Sequence, residues 1–148
     1  MAQNAQNKLD DLYGDVVLDH CRSPRNNDFL DVADRCAEGV NPFCGDEIHF
    51  QLLVDSHDSV QAVGAQGVGC AINRASGSLF SEAIIGKTIN EVSDFSRAFS
   101  RIMESHDLHE SEYARQFGAI SALFRVREFP VRIKCALLAS SALTTNLR

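Results

Sequence analysis

The spacing of apolar residues changes twice along this chain, and the second change, near residue 70, limits the folds open to it. Every second residue over 48–54 is apolar and most of the residues between are polar, which predicts a half-buried β-strand. A polar turn at 55–58 and a second apolar run over about 60–65 predict a hairpin. After Ala71 the apolar residues recur at helical spacing instead.

One helix is predicted before the strands. An apolar stripe from Leu9 to Val17 has helical spacing, and Asn7 is a candidate N-cap. This helix is expected to end before Ser23-Pro24, because the residue before a proline avoids the α region. The stretch 25–40 is polar and is predicted to be a loop.

Further helices are predicted after the strands, the first of them beginning at Ala71. Thr88 and Glu91 form a candidate capping box for the second. Ser111 is a candidate cap for the third, and the last is expected over about 133–143. A short run of strands followed by helices predicts an α+β fold, in which the helices pack on one face of a small antiparallel sheet.

Length and composition exclude several classes of protein. The 148 residues are expected to form one domain, spanning 1–148. Contents of 45% hydrophobic and 23% charged residues are typical of a globular chain and exclude a disordered one. No apolar run approaches the roughly 20 residues that cross a bilayer, so no membrane partner is expected. The net charge of −6 argues against a nucleic-acid partner, which requires a basic surface.

The odd number of cysteines argues against a closed set of disulfides. The first twenty residues lack the basic start and apolar stretch of a signal peptide, so a cytoplasmic location is expected. Thiols stay reduced there, and a cysteine is then a core residue, a metal ligand or a nucleophile. The five cysteines are Cys21, Cys36, Cys44, Cys70 and Cys135.

Cys44 lies in the segment Asn-Pro-Phe-Cys-Gly-Asp at 41–46, just before the first predicted strand. Asn-Pro starts a turn and Gly45 permits unusual backbone angles, which would hold a thiol and the carboxylate of Asp46 at a loop tip. Both groups are anionic ligands suited to zinc or iron. From this segment alone, an ordinary loop with a partly buried cysteine is the simpler interpretation.

Cys70 and Cys135 lie near the starts of predicted helices. The helix dipole at Cys70, and the cations of Arg132 and Lys134 near Cys135, are expected to favour thiolates. Either cysteine is alternatively a small packed residue. Loop and helix ends converge readily on one side of a small sheet, and tetrahedral zinc takes four N, S or O ligands. The candidate set is Cys44, Asp46, Cys70 and Cys135.

The two remaining cysteines have weaker claims to a role. Cys21 ends the first predicted helix and Cys36 lies in a charged loop, so neither is expected to function in chemistry. Nothing in the sequence links a particular histidine to a particular cysteine, which disfavours a Cys–His hydrolase. A purely structural zinc site stays an alternative.

Four segments, in order, resemble the iron–sulfur assembly family of IscU, SufU and the NifU N-terminal domain. They are LYGDVVLDHCRSPRN (12–26), NPFCGDEIHF (41–50), GVGCAINRASGSLFSEAIIGKT (67–88) and FPVRIKCALLASSAL (129–143). The resemblance covers nearly the whole chain, from Leu12 to about Leu143. It implies a small antiparallel sheet with helices packed on it.

Within this family the chain is similar to the SufU branch. IscU proteins carry a histidine immediately before the third cysteine, where this chain has Lys134. SufU proteins have a longer helical segment before that cysteine, and here Cys135 lies 48 residues after Lys87. Two positions depart from the family pattern: Cys21 replaces a usual aromatic residue, and Ser140 replaces a frequent tryptophan. These departures bear on packing and partner surface rather than on the candidate ligands.

The resemblance implies that zinc is held by Cys44, Asp46, Cys70 and Cys135. It implies a SufS-type, pyridoxal-phosphate cysteine desulfurase as partner. A desulfurase histidine would replace Cys44 on the zinc, and the freed thiolate would take up the persulfide sulfur. The alternative left open is a scaffold, on which the same residues assemble a transient iron–sulfur cluster that passes to iron–sulfur acceptor or assembly proteins.

Overall fold

A three-stranded antiparallel sheet organises the fold. The computed structural model of the chain describes residues 14–105 and 115–147. Strand order in the sheet follows the sequence, so that β2 is central. Phe50 of the central strand lies opposite Ala37 on one side and Ala65 on the other. The strands are β1 (Arg35–Val40), β2 (Glu47–Val54) and β3 (Val60–Val68).

The helices pack on one face of this sheet, as predicted. That face carries Ile48, Phe50 and Leu52, whose side chains are no more than 1% exposed. Helix α2 contributes Ile72 and Leu79 to the same core. The helical segments are α1 (14–22), α2 (Ala71–Ala83), α3 (Ile89–Glu104), a 3₁₀ helix (Gly118–Glu128) and α4 (Pro130–Thr145). In the described ranges, no helix combines the length and the apolar character that a membrane crossing needs.

Several predicted boundaries are confirmed. Helix α1 ends at residue 22, before Ser23-Pro24. Thr88 caps α3 in the predicted capping box: its side chain accepts from the Glu91 N–H, and the Glu91 carboxylate accepts from the Thr88 N–H. The candidate caps Asn7 and Ser111 lie outside the described residues, as does Leu9 of the first apolar stripe.

The prediction of a loop throughout 25–40 is wrong, because residues 35–40 form the edge strand β1. The residues that β1 turns toward the helices are small, Ala37 and Gly39, so the sequence shows no alternation of large apolar side chains. Hydrogen bonding to β2 supplies the order instead: Ala37 pairs with Phe50, and Gly39 with Ile48. Tertiary pairing here overrides a weak local preference for strand.

The predicted helix around residues 111–124 is α-helical only at 115–117 within the described part, and continues as a 3₁₀ helix over Gly118–Glu128. A 3₁₀ helix has three residues per turn, so side chains three apart share a face. The buried residues at that spacing are Phe117, Ile120, Leu123 and Val126. The last helix begins at Pro130, earlier than predicted, since proline is favoured in a first helical turn.

Candidate metal centre

Cys44 lies on a tight turn that joins β1 to β2. The Asn41 N–H donates to the Asp46 carbonyl at 2.8 Å, and the Gly45 N–H donates to the Asn41 carbonyl at 2.8 Å. Gly45 adopts a φ of 75°, a conformation that few residues other than glycine accept readily. The turn leaves the Cys44 thiol exposed at the tip of the loop. This thiol is therefore accessible to a partner protein.

Asp46 is the buried carboxylate beneath that loop, with 3% of its surface exposed. Its Oδ1 accepts a hydrogen bond from the Cys70 N–H at 3.0 Å, while Oδ2 is buried and has no hydrogen-bond partner among the residues described. Burial by itself would raise the pKa of Asp46. The Cys70 N–H and the nearby thiols of Cys70, Cys135 and Cys44 outweigh it and hold the pKa below its usual value. The group is therefore a carboxylate with a free oxygen.

Cys70 caps helix α2. Its Sγ accepts a hydrogen bond from the Asn73 N–H at 3.4 Å, as expected for a thiol at a helix N-terminus. The expected drop in its pKa is wrong, however, because burial raises the pKa of Cys70 and the Asp46 carboxylate raises it further. Desolvation of the thiolate here outweighs the hydrogen bonds of Asn73 and Cys135, which act to lower the pKa. Burial and the Asp46 charge therefore favour the protonated thiol at Cys70.

Cys135 lies on α4 and is buried. Burial, together with the neighbouring Cys70 and Asp46, raises the pKa of Cys135 to about 12. The expected help from Arg132 and Lys134 is absent, since both side chains are exposed. The Lys134 ammonium lies instead 5.5 Å from the centre of the Phe43 ring.

The structure brings three of the four predicted donors into one cluster. One ligand atom each from Cys44, Asp46 and Cys135 lies within 4.8 Å of the other two. Cys70 is not in this mutually close set, but it donates its N–H to Asp46 and its thiol interacts with Cys135. The four side chains thus come from one loop (Cys44 and Asp46), from the N-cap of α2 (Cys70) and from the second turn of α4 (Cys135).

The donor set fits zinc chemically. Zinc takes thiolate and carboxylate ligands, and this cluster supplies a carboxylate with one unpaired buried oxygen beside two thiols, with the Cys70 thiol adjoining them. Burial and the Asp46 charge hold the Cys70 and Cys135 pKa values high. A divalent cation would reverse that effect, because its charge stabilises thiolates. The chemistry of the cluster is therefore compatible with a bound cation.

Two cysteines lie outside the cluster. Cys36 is exposed on β1 rather than in the predicted loop, and Cys21 is partly buried, with its Sγ 3.7 Å from the Arg74 guanidinium. Buried His20 shares a 2.7 Å hydrogen bond with the Ser78 hydroxyl. Sequence reasoning missed Asn73, whose side chain is fully buried beside the donors. The available signal was a polar residue on the apolar side of α2, next to Ile72.

Comparisons with known proteins identify relatives of this chain. The sequence profile of the NifU-like N terminal domain matches residues 12–136. The zinc-dependent sulfurtransferase SufU of Bacillus subtilis is 38% identical over 135 residues, which cover 91% of this chain and 88% of that one. The iron–sulfur cluster assembly scaffold protein IscU of Streptococcus pyogenes is 34% identical, with 97% and 87% covered.

A solved structure from Fervidobacterium islandicum, described as a candidate iron–sulfur cluster assembly scaffold for the SUF system, has the same fold. It superposes with a TM-score of 0.79 at 29% identity, over 90% of this chain and 95% of that one. A second solved structure, of a hypothetical protein, gives a TM-score of 0.78 at 32% identity. The family profile and the SufU relative both cover most of the chain, and the chain belongs to the NifU-like N-terminal domain family of iron–sulfur cluster assembly proteins.

Proposed function

We propose that this protein is a zinc-dependent sulfur acceptor in iron–sulfur cluster assembly. Its partner would be a cysteine desulfurase of the SufS type, and Cys44 would take the persulfide sulfur. The observation that carries the proposal is the contrast within the cluster: an exposed Cys44 thiol lies within 4.8 Å of the buried donors Asp46 and Cys135. One donor is within a partner's reach while the others are anchored.

The residues proposed to hold zinc are Cys44, Asp46, Cys70 and Cys135. Bound zinc would stabilise the thiolates and moderate their nucleophilicity until a donor is docked. Asp46 is fixed by the Cys70 N–H, and Cys70 and Cys135 are anchored on α2 and α4. Cys44, on a loop with Gly45, is the donor best placed to move.

The proposed transfer step balances without an external oxidant or reductant. The Cys44 thiolate attacks the outer sulfur of the persulfide on the desulfurase. A new S–S bond forms at Cys44, the S–S bond of the donor breaks, and its electron pair stays on the desulfurase thiolate. The outer sulfur keeps its hydrogen, so that Cys44 ends as the persulfide. Such exchange depends on the thiolate fraction of the attacking group and on access to it.

A scaffold function is the second candidate, because several relatives carry that name, including the 34% identical protein of Streptococcus pyogenes. The same thiolates and carboxylate would then ligate an iron–sulfur cluster before its transfer to an acceptor. Lys134 favours the sulfur acceptor, since the family resemblance implies a histidine at this position in the IscU branch. None of the five cysteines forms a disulfide bond, which supports the proposal that the protein functions in the reducing cytoplasm.

The test compares Cys44→Ala with Cys36→Ala in a desulfurase assay. Both thiols are exposed, but Cys36 lies on β1 and, within residues 14–105 and 115–147, belongs to no group of metal donors. We expect Cys44→Ala to lose stimulation of alanine release and the persulfide detected by mass spectrometry, while Cys36→Ala keeps both. Undiminished stimulation by Cys44→Ala would refute the proposal.

Metal analysis separates the two candidate functions. Anaerobically purified protein is measured for zinc, iron and acid-labile sulfide, beside the Cys70→Ala variant. About one zinc per chain without sulfide, lost in the variant, is the result expected of a sulfur acceptor. Iron with matching sulfide, transferable to an apo-acceptor, would instead establish the scaffold.

A further inference from the structure

The side chain of Asn73 connects two strand ends inside the protein. Asn73 lies in the first turn of α2 and is fully buried. Its Nδ2 donates to the Glu47 carbonyl at 2.7 Å and to the Val68 carbonyl at 3.1 Å. Since both partners are carbonyl oxygens, the amide nitrogen must point toward them. One side chain therefore links the start of β2 to the end of β3.

These two carbonyls adjoin the buried donors. Glu47 directly follows Asp46, and Val68 lies two residues before Cys70. Glu47 and Val68 are also paired across the sheet, which makes them the last rung before both donor segments leave the strands. Fixing these carbonyls fixes where the two segments begin.

Asn73 also contacts one donor directly through its backbone. Its N–H donates to the Cys70 Sγ at 3.4 Å. Cys70 in turn donates its own N–H to the Asp46 carboxylate at 3.0 Å. Asn73 thus contacts β2, which follows Asp46, and β3, which precedes Cys70, as well as the Cys70 sulfur. A displaced Asn73 side chain would leave both carbonyls without this donor and would leave the fully buried Asn73 amide without its two acceptors, which buried polar groups tolerate poorly.

We propose that Asn73 is a positioning residue for the metal centre: its amide fixes, relative to each other, the backbone segments that carry Asp46 and Cys70. The inference rests on the proposed function, in that it takes the cluster to be a zinc site. Asn73 itself would not ligate the metal. It acts on the backbone from which two ligands project, as residues behind metal ligands do in other proteins.

The experiment measures zinc affinity by competition with a chromogenic chelator, at a temperature where every variant is folded. Asn73→Leu keeps the approximate size of the side chain and removes its two hydrogen bonds. The matched control is Ser81→Ala, on the same helix and equally buried, whose hydroxyl bonds Arg25 and Asn26 rather than the donor strands. We expect a 10–100-fold loss of zinc affinity in Asn73→Leu and a change below about threefold in Ser81→Ala.

Cobalt substitution adds a spectroscopic measurement, which a general loss of stability does not change. The thiolate-to-cobalt absorption of Asn73→Leu should shift or weaken relative to wild type, while that of Ser81→Ala should match wild type. If Asn73→Leu does not fold, Asn73→Ser takes its place, because a serine hydroxyl is too short to reach both carbonyls. The same loss of affinity is expected from it.

Each other outcome is decisive. Wild-type affinity and an unchanged cobalt spectrum in the Asn73 variant would overturn the positioning role, and so would an equal loss in Ser81→Ala. A wild-type protein that binds no zinc would instead refute the proposed function, which separates the two failures.

Discussion

Replacing Gly69 by alanine tests how closely the donor cluster is built. Gly69 has a φ of 115°, and a Cβ placed there would overlap the Asp46 Oδ1 and lie 2.8 Å from its Cγ. Gly86 provides a matched control, because its φ is 87° and a Cβ there meets nothing within 4 Å. The two substitutions share the backbone strain and differ in the collision with Asp46.

The expected losses of stability follow from the backbone strain and from the collision with Asp46. A non-glycine residue at such a φ costs about 1–3 kcal/mol, and this cost applies to both variants. Forcing a methyl group into filled space costs about 1–3 kcal/mol more, and this cost applies to Gly69→Ala only. We therefore expect about 1–3 kcal/mol of destabilisation in Gly86→Ala and about 2–6 kcal/mol in Gly69→Ala. A domain with about 5–15 kcal/mol of total stability would register the difference clearly.

Urea denaturation of the chelator-treated proteins measures these free energies of unfolding, and chelator competition measures zinc affinity. Gly69→Ala should also bind zinc at least about tenfold more weakly, because the methyl group displaces the Asp46 carboxylate. Gly86→Ala should bind zinc as wild type does. Equal destabilisation in the two variants, with zinc affinity unchanged in both, would show that Asp46 does not depend on the space that Gly69 leaves by having no side chain.

Two further predictions concern stability alone. Thr88→Ala removes the side-chain oxygen that accepts a hydrogen bond from the Glu91 N–H, and it should lower the free energy of unfolding in urea by about 1 kcal/mol. Thr88→Ser keeps that oxygen and should lower it little. Equal losses in the two variants would argue against the capping bond. Burial, together with the Arg25 guanidinium, lowers the pKa of His20 in the folded protein. As the pH falls below about 6.5, His20 therefore takes up a proton in the unfolded chain before it does so in the folded protein, and the free energy of unfolding decreases. His20→Gln should flatten this decline between pH 7.5 and pH 5.5, and an unchanged slope would contradict it.

The sequence predicted those elements whose buried face carries large apolar residues. The period of two in β2 and the period of 3.6 in α2 and α3 survive in the structure, because each element turns one face to the common core. Strand β1 escaped prediction because its inward residues, Ala37 and Gly39, are too small to mark a face. Its position depends on hydrogen bonds to β2, which no local pattern encodes.

The proximity of Cys44, Asp46 and Cys135 was predictable in part for a different reason. Cys44 and Asp46 lie at a turn before a strand and Cys70 caps a helix, and turn and cap residues mark such places in the sequence. Their protonation was not predictable, since it depends on how deeply α4 and the loops bury them. Asn73 was missed because its polarity suggests a solvent-facing position, whereas its side chain is buried and bonds the carbonyls of Glu47 and Val68 on two strands.

The contrast between exposed and buried thiols gives a last prediction, for the metal-free protein. At pH 8, a pKa of about 12 leaves Cys135 with a thiolate fraction on the order of 1 in 10,000, and its side chain is buried. Cys36 and Cys44 are exposed. Since alkylation needs both thiolate and access, iodoacetamide should label these two well before Cys135, as followed by peptide mass spectrometry. In concentrated urea all the cysteines should react alike. Labelling of Cys135 as fast as Cys36 in the folded protein would show that α4 does not bury that thiol among Asp46 and Cys70, and the cluster on which the zinc site depends would be lost with it.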